Sequence, residues 1–115
     1  VSVLWRDVAA AVAAEQGVRC TLVDVDLMAY QLVACPQKFD VVAAPNLCGD
    51  ILADLGAVLV GSRSLTFSGN YTPAGDAVYQ TNHGAAYDLA GTDCANPVGH
   101  ILSLAMLLRE SLNLP

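Results

Sequence analysis

Asp50 and Asp54 stand four residues apart in the stretch PNLCGDILADLGAVLVG, which runs from Pro45 to Gly61. On a helix that spacing places both carboxylates on one face, a turn apart. Two like charges so placed repel each other unless something holds them together, and a divalent cation does so most simply. The alternative is a solvated face on which Asp50 merely favours the positive end of the helix dipole. A third acid, Asp26, ends the apolar run VRCTLVDV and heads the next helix pattern. In open α/β sheets, ligands gather beyond the carboxyl ends of the strands. Three carboxylates gathered there would make a hard oxygen site of the kind that Mg²⁺ or Mn²⁺ prefers. The simpler role for Asp26 is a helix N-cap.

His83-Gly84 is the next candidate pair. A glycine beside the imidazole lets a ligand approach the backbone closely; the alternative is an ordinary loop histidine. Asp88 has the chemistry to accept hydrogen bonds from a sugar diol, and equally to close a turn. His100 falls inside the last helix pattern and reads as a helix-surface or interface residue. Cys48 is either a soft ligand or a small apolar filler. The sequence contains no G-x-G-x-x-G, no P-loop and no G-x-S-x-G, so phosphate cradles of those kinds and a serine hydrolase have no support.

The elements that must position these residues follow from periodicity. Residues 2–16 are Ala-rich, with Leu4, Trp5, Val8 and Val12 at near-helical spacing, and Gly17 is placed to stop that helix. Residues 18–25 read as a short strand, followed by a helix capped at Asp26 and closed by Pro36. FDVVAA, at 39–44, reads as a second strand whose continuous apolar pattern suits a parallel sheet covered on both faces. A helix over about 49–60 then carries Asp50 and Asp54. This alternation predicts an α/β layer fold. The stretch 61–82 changes character and predicts an irregular crossing with short strands at 64–67 and 77–80. The segment 83–91 reads as a loop with at most one helical turn. Asn96-Pro97 starts a last helix well, with Asn as N-cap and Pro at the first helical position, running to Leu112.

Bulk properties narrow the function classes. The chain has 115 residues, enough for one modest domain, and a net charge of −6 with no basic stripe. Nucleic acid is therefore not an expected partner. The longest apolar stretches are too short to span a bilayer, so no membrane partner is expected. The composition is 55% hydrophobic, rich for a small free-standing domain, which points to apolar surface that meets other protein. The four cysteines show no C-x-x-C and read as reduced thiols of a cytoplasmic protein, with one disulfide pair as the alternative. The opening on Val1, at once in a helix pattern, reads as a piece of a longer protein.

Taken together, VDVDLMAYQLV, FDVVAAPNLCGDILADLGAVLVG, HGAAYDLAG and ANPVGHILSLAMLLRESL resemble the isocitrate/3-isopropylmalate dehydrogenase family in order and spacing. The resemblance implies the C-terminal part of that fold, α/β with a partly parallel sheet flanked by helices. It implies that residues 1–60 end the central dimerisation and metal-binding domain, and that 61–115 form the C-terminal part of the dinucleotide-binding domain. The implied activity is NAD-dependent oxidative decarboxylation of a malate-type 2-hydroxy acid such as isocitrate or 3-isopropylmalate, by a homodimer. By the same resemblance Asp50 and Asp54 hold Mg²⁺ or Mn²⁺ in one subunit, and Asp26 reaches that metal from the partner subunit. His83, Gly84, Ala85, Ala86, Asp88, Leu89 and Asn96 would contact the dinucleotide. NADP-using members tend to carry Lys-Tyr where Asp88 and Leu89 stand, so an acid here implies NAD. The family's catalytic Lys and Tyr precede LWRDV, and Lys38 does not match them, so this stretch alone is expected to catalyse nothing.

The chain also departs from the family pattern. Gln80 stands where Glu is usual, Tyr87 where Pro is usual, and Cys48 where an aromatic residue is usual. Ser64 and Phe67 replace the Gly and Pro of a G-L-x-P segment. These departures, with the missing Lys and Tyr, leave a second expectation: a noncatalytic regulatory or interaction subunit that keeps the fold.

Overall fold

The computed structural model describes residues 2–114. The chain forms two compact units, Val1–Gly56 and Ala57–Pro115.

In the first unit, α1 spans Ser2–Glu15. It ends at Gly17, whose φ of 65° lets the chain reverse. Val18 N–H then bonds the Ala13 carbonyl at 2.9 Å and Gly17 N–H the Ala14 carbonyl at 3.3 Å. These are the two bonds of a Schellman ending. Helix α2 spans Val25–Ala34, and its cap position is Asp24, not Asp26 as expected. Asp24 has extended backbone, and its carbonyl accepts the first helical bond from Met28 N–H at 2.8 Å. Asp26 therefore lies inside the first turn, where its charge still suits the dipole. Pro36 stops α2 and opens a short 3-10 turn, Pro36–Lys38, against which the helix packs. An exposed Arg6–Asp24 ion pair at 3.3 Å links α1 to the start of α2. A pair this exposed contributes about 0–1 kcal/mol.

The two apolar runs read as strands, 18–25 and 39–44, enter no ladder among the described residues. A strand is defined by hydrogen bonds to a neighbouring strand, and neither run pairs with a described segment. Both are largely exposed; Val41 reaches 88%.

Helix α3, Asn46–Leu59, begins three residues before the expected Gly49, because the Pro45 carbonyl accepts from Gly49 N–H at 2.9 Å and closes the first turn there. Leu52 is buried on it in the first unit and Ala57 in the second.

In the second unit, the expected strand at 64–67 is instead a 3-10 turn, Arg63–Leu65, followed by the strand β1, Phe67–Tyr71. The Ser62 hydroxyl accepts from Ser64 N–H at 3.2 Å and caps that turn, which competes with extension. β2, Ala77–Thr81, pairs antiparallel with β1 in the register Gly69 opposite Tyr79. This hairpin is the only sheet among the described residues. Helix α4, Val98–Glu110, lies against both strands and against the Arg63–Leu65 turn. Asn96 Oδ1 accepts from Val98 N–H at 3.0 Å, so the side chain does the work of a cap even though helical geometry starts at Val98. Gly99 is buried where α4 meets the turn. A Cβ there would stand 2.8 Å from the Ser64 carbonyl oxygen and 3.1 Å from that of Thr66. Buried Ser103 satisfies its hydroxyl within the helix, donating to the Gly99 carbonyl at 2.8 Å. No described helix is long and apolar enough to cross a membrane.

Candidate functional site

Two groups of candidate residues stand out, one in each unit. The first is on α3. Asp50 and Asp54 are both in the helix and both exposed. Their spacing puts them on one face, and Asp54 takes part in a further interaction of its own. Asp26, on α2, is also exposed. No group of three or more His, Cys, Asp or Glu side chains among the described residues is close enough to hold a metal ion. Asp26 is thus not gathered with the α3 pair within one chain. A site divided between two subunits requires that arrangement, and three acids with separate roles would give it equally. Two exposed carboxylates a turn apart fit the hard oxygen donors that Mg²⁺ and Mn²⁺ take, as part of a larger set. Cys48 is half-buried on the same helix, and none of the four cysteines is paired.

The second group is a pocket of about 410 Å³ lined by His83, Gly84, Ala85, Ala86, Leu89, Ala90, Gly91, Asp93 and Ala95. The loop that makes it is short and tightly curled, because Ala86 (φ 45°), Gly91 (φ 76°) and Asp93 (φ 56°) are all left-handed. Within it, Tyr87–Leu89 form one 3-10 turn, the single helical turn expected from sequence. Thr92 fixes the far side: its hydroxyl donates to the Leu89 carbonyl at 2.7 Å and accepts from Cys94 N–H at 3.4 Å. The near side is tied to the body of the unit by Arg63, whose guanidinium donates to the Asn82 carbonyl at 3.3 Å.

His83 occupies the start of this loop. Its Nδ1 lies 2.9 Å from the Gly84 carbonyl oxygen. A carbonyl only accepts, so Nδ1 carries the proton, and in the neutral ring Nε2 is left as an acceptor. That Nε2 is buried and has no hydrogen-bond partner among the described residues. The His100 ring, on the first turn of α4, lies with its centroid 6.2 Å away. A buried acceptor without a donor costs free energy until something supplies one. The adenosine portion of a dinucleotide fits this description: it brings N–H and O–H donors to an orphaned acceptor, and the small residues around it leave the backbone accessible.

Five of the seven residues expected to contact a dinucleotide line this pocket: His83, Gly84, Ala85, Ala86 and Leu89. Asp88 and Asn96 do not border it; Asp88 is exposed on the 3-10 turn, and the Asn96 side chain caps α4. Ala90, Gly91, Asp93 and Ala95 were not singled out by sequence. For Asp93 a signal existed, since an aspartate close after a glycine in a small-residue loop is suited to a left-handed turn.

Comparison with known proteins bears on both groups. The model of the isocitrate/isopropylmalate dehydrogenase family matches residues 1–115. The chain belongs to the isocitrate/isopropylmalate dehydrogenase family. It is 46% identical to a 3-isopropylmalate dehydrogenase of Thermosynechococcus vestitus, over 100% of this chain and 32% of that protein. It is 47% identical to the 3-isopropylmalate dehydrogenase of a Synechococcus strain, over 100% of this chain and 30% of that protein. Among solved structures, isocitrate dehydrogenase from Methylococcus capsulatus superposes with a TM-score of 0.87 at 37% identity, over 91% of this chain and 31% of that one. A beta-decarboxylating dehydrogenase from Thermococcus kodakarensis superposes with a TM-score of 0.79 at 42% identity, over 96% of this chain and 33% of that one. The chain therefore spans about a third of the length of the curated relatives it matches. The fold of this family member is an α/β fragment of the dehydrogenase architecture, of which the hairpin with α4 and the helices α1–α3 are parts.

Proposed function

We propose that this chain is the C-terminal portion of a cytoplasmic, homodimeric, NAD- and Mg²⁺- or Mn²⁺-dependent oxidative decarboxylase of a malate-type 2-hydroxy acid, such as isocitrate or 3-isopropylmalate. The observation that carries the reading is the family match along residues 1–115, which includes both acids of α3 and the whole pocket loop. In this reading residues 1–60 end the central domain and 61–115 complete the dinucleotide domain.

Asp50 and Asp54 supply two negative oxygen ligands to the divalent ion, and Asp26 supplies a third from the partner subunit. Bound there, the ion supplies Lewis acidity toward the substrate's hydroxyl and carboxylate oxygens. The pocket loop holds the adenosine end of NAD. Gly84, Ala85 and Ala86 let the cofactor lie close to the backbone, Leu89 packs against it, and His83 offers Nε2 as an acceptor. Asp88 accepts from a ribose hydroxyl, and Asn96 fixes the loop's junction with α4. The reacting groups that move protons are not in this stretch, so the chain alone turns nothing over.

One specific observation supports a second reading, a noncatalytic subunit. Gln80 lies on the exposed face of β2, and it cannot supply the charge of the glutamate usual in the family. Mn²⁺ titration of the full-length dimer in the presence of isocitrate or 3-isopropylmalate separates the two. The enzyme reading expects saturable Mn²⁺ binding and reduction of NAD with one of the two acids. Absence of both would sink it and leave the noncatalytic subunit.

A further inference from the structure

The sequence holds two histidines, and the fold brings them together. His83 starts the pocket loop and His100 lies on the first turn of α4, yet their ring centroids are 6.2 Å apart, with the planes inclined by 51°. The Nδ1 proton of His83 is held by the Gly84 carbonyl oxygen at 2.9 Å, and its Nε2 is buried and without a partner among the described residues. A metal-ligating histidine is prepared in the same way: a backbone carbonyl takes one ring N–H, which fixes tautomer and orientation, and the other nitrogen keeps a bare lone pair. His100 is exposed, and an exposed ring changes rotamer readily.

We propose that His83 and His100 form a two-histidine site for a borderline transition-metal ion, Zn²⁺ or Ni²⁺, with water in the remaining coordination positions. Metal–nitrogen bonds of about 2.0–2.1 Å put each ring centroid roughly 3.2 Å from the ion, so two imidazoles at a tetrahedral angle have centroids about 5.3 Å apart. The observed 6.2 Å is wider by about 1 Å, a gap that a turn of the exposed His100 ring closes. Imidazole suits Zn²⁺ and Ni²⁺, whereas Mg²⁺ and Mn²⁺ take carboxylate and water oxygens, so this site differs in kind from the acids of α3. A bare acceptor removed from water is costly, and coordination gives it a partner. None of the residues lining the pocket beside His83 is Lys or Arg, so no cation there opposes the ion. Both rings lie in the unit Ala57–Pro115, so the two ligands come from one chain. The inference uses the two rings alone and holds whatever fills the pocket.

The test is calorimetric titration of the full-length protein, and of its His83→Gln and His100→Gln variants, with Zn²⁺ and separately with Ni²⁺. Excess Mg²⁺ is present throughout to keep carboxylate sites occupied. The expected result is one site per chain that each substitution weakens about tenfold or more, the worth of one ligand. Any Zn²⁺ held by thiols elsewhere is unmoved by either change, which separates the two kinds of binding. Crystals of the full-length protein soaked in Zn²⁺ should show an anomalous peak within bonding distance of both rings. His100 is exposed, so His100→Gln is expected to keep the fold, and it is the deciding variant. If that variant binds both ions as tightly as the wild type, or if the soaked ion touches neither ring or one ring alone, the inference is overturned.

Discussion

Single side chains decide two properties of this chain. Gly99 sits where α4 meets the Arg63–Leu65 turn, with the carbonyl oxygens of Ser64 and Thr66 closer to the position of a Cβ than a methyl group tolerates. Those atoms are backbone and cannot rotate away, so the helix must shift. Gly99→Ala is expected to cost about 1–3 kcal/mol, the range typical of overpacking, despite the gain in helix propensity. Denaturant unfolding of the full-length protein checks this, and a neutral or stabilising result would show that α4 moves freely against the turn. Asp50 and Asp54 present the opposite case, exposed residues whose value lies in a ligand. Asp50→Asn should leave folding nearly unchanged, and Asp50→Asn and Asp54→Asn should each weaken Mn²⁺ binding about tenfold or more, the worth of one charged contact. A variant that kept full Mn²⁺ affinity would return its residue to the status of a solvated acid. Reading the acids from the sequence was possible because i, i+4 spacing is local. Reading Asp93 as a pocket residue was not, because that depends on the left-handed residues Ala86, Gly91 and Asp93, which only the folded loop displays.

At the scale of elements, the helices were legible and the extended segments were not. α1, α3 and α4 each carry their own stop or start signals in Gly17, Pro45 and Asn96-Pro97. Helical hydrogen bonds close within the segment, so local sequence suffices to define it. Strands close with a neighbour: 77–80 is found nearly as expected because β1 is beside it, whereas 18–25 and 39–44 have no described neighbour and remain unpaired. The hairpin in turn is fastened to the end of α4 by the Tyr79 hydroxyl. Tyr79 Oη lies 2.9 Å from Ser111 Oγ, and the Tyr71 ring meets the Tyr79 ring edge-on at 5.8 Å. Partial desolvation, reinforced by the neighbouring Tyr79 phenol and the Glu110 carboxylate against a smaller opposing effect of Arg109, raises the Tyr71 phenol above its usual value of 10.0. The folded state then holds this proton more tightly than the unfolded chain does. The contribution is fully present below pH 10 and is lost as the pH climbs from there through the raised value. Alkaline unfolding of the wild type should therefore be steeper above that point than that of Tyr71→Phe, as thermal melts across a pH series would record. Tyr79→Phe should cost about 1 kcal/mol through the lost hydrogen bond to Ser111.

At the scale of the molecule, the composition and the burial conflict in an informative way. The chain is 55% hydrophobic, yet among the described residues the buried apolar side chains are Met28, Leu52 and Ala57 alone. Leu4 on α1 is 69% exposed, and Ile101 and Leu104 on α4 are 59% and 55% exposed. A domain of this length ordinarily buries about two-thirds of the surface its unfolded chain exposes. These helices therefore expose more apolar surface than a free-standing domain of this length ordinarily does, and the curated relatives are about three times as long. The consequence can be measured on the isolated 115-residue polypeptide. Its hydrophobic burial is too small to offset the conformational entropy of ordering this many residues, so it is expected to melt without a cooperative transition. It should also bind a hydrophobic dye, self-associate, and reduce no NAD when given isocitrate or 3-isopropylmalate with Mn²⁺. On the proposed reading, the full-length protein should do the reverse on each count. A sharp two-state melt of a monomeric fragment with no dye binding would mean that the exposed faces are not interfaces at all. The site would then have to be complete within this chain, and turnover by the fragment would become the deciding measurement.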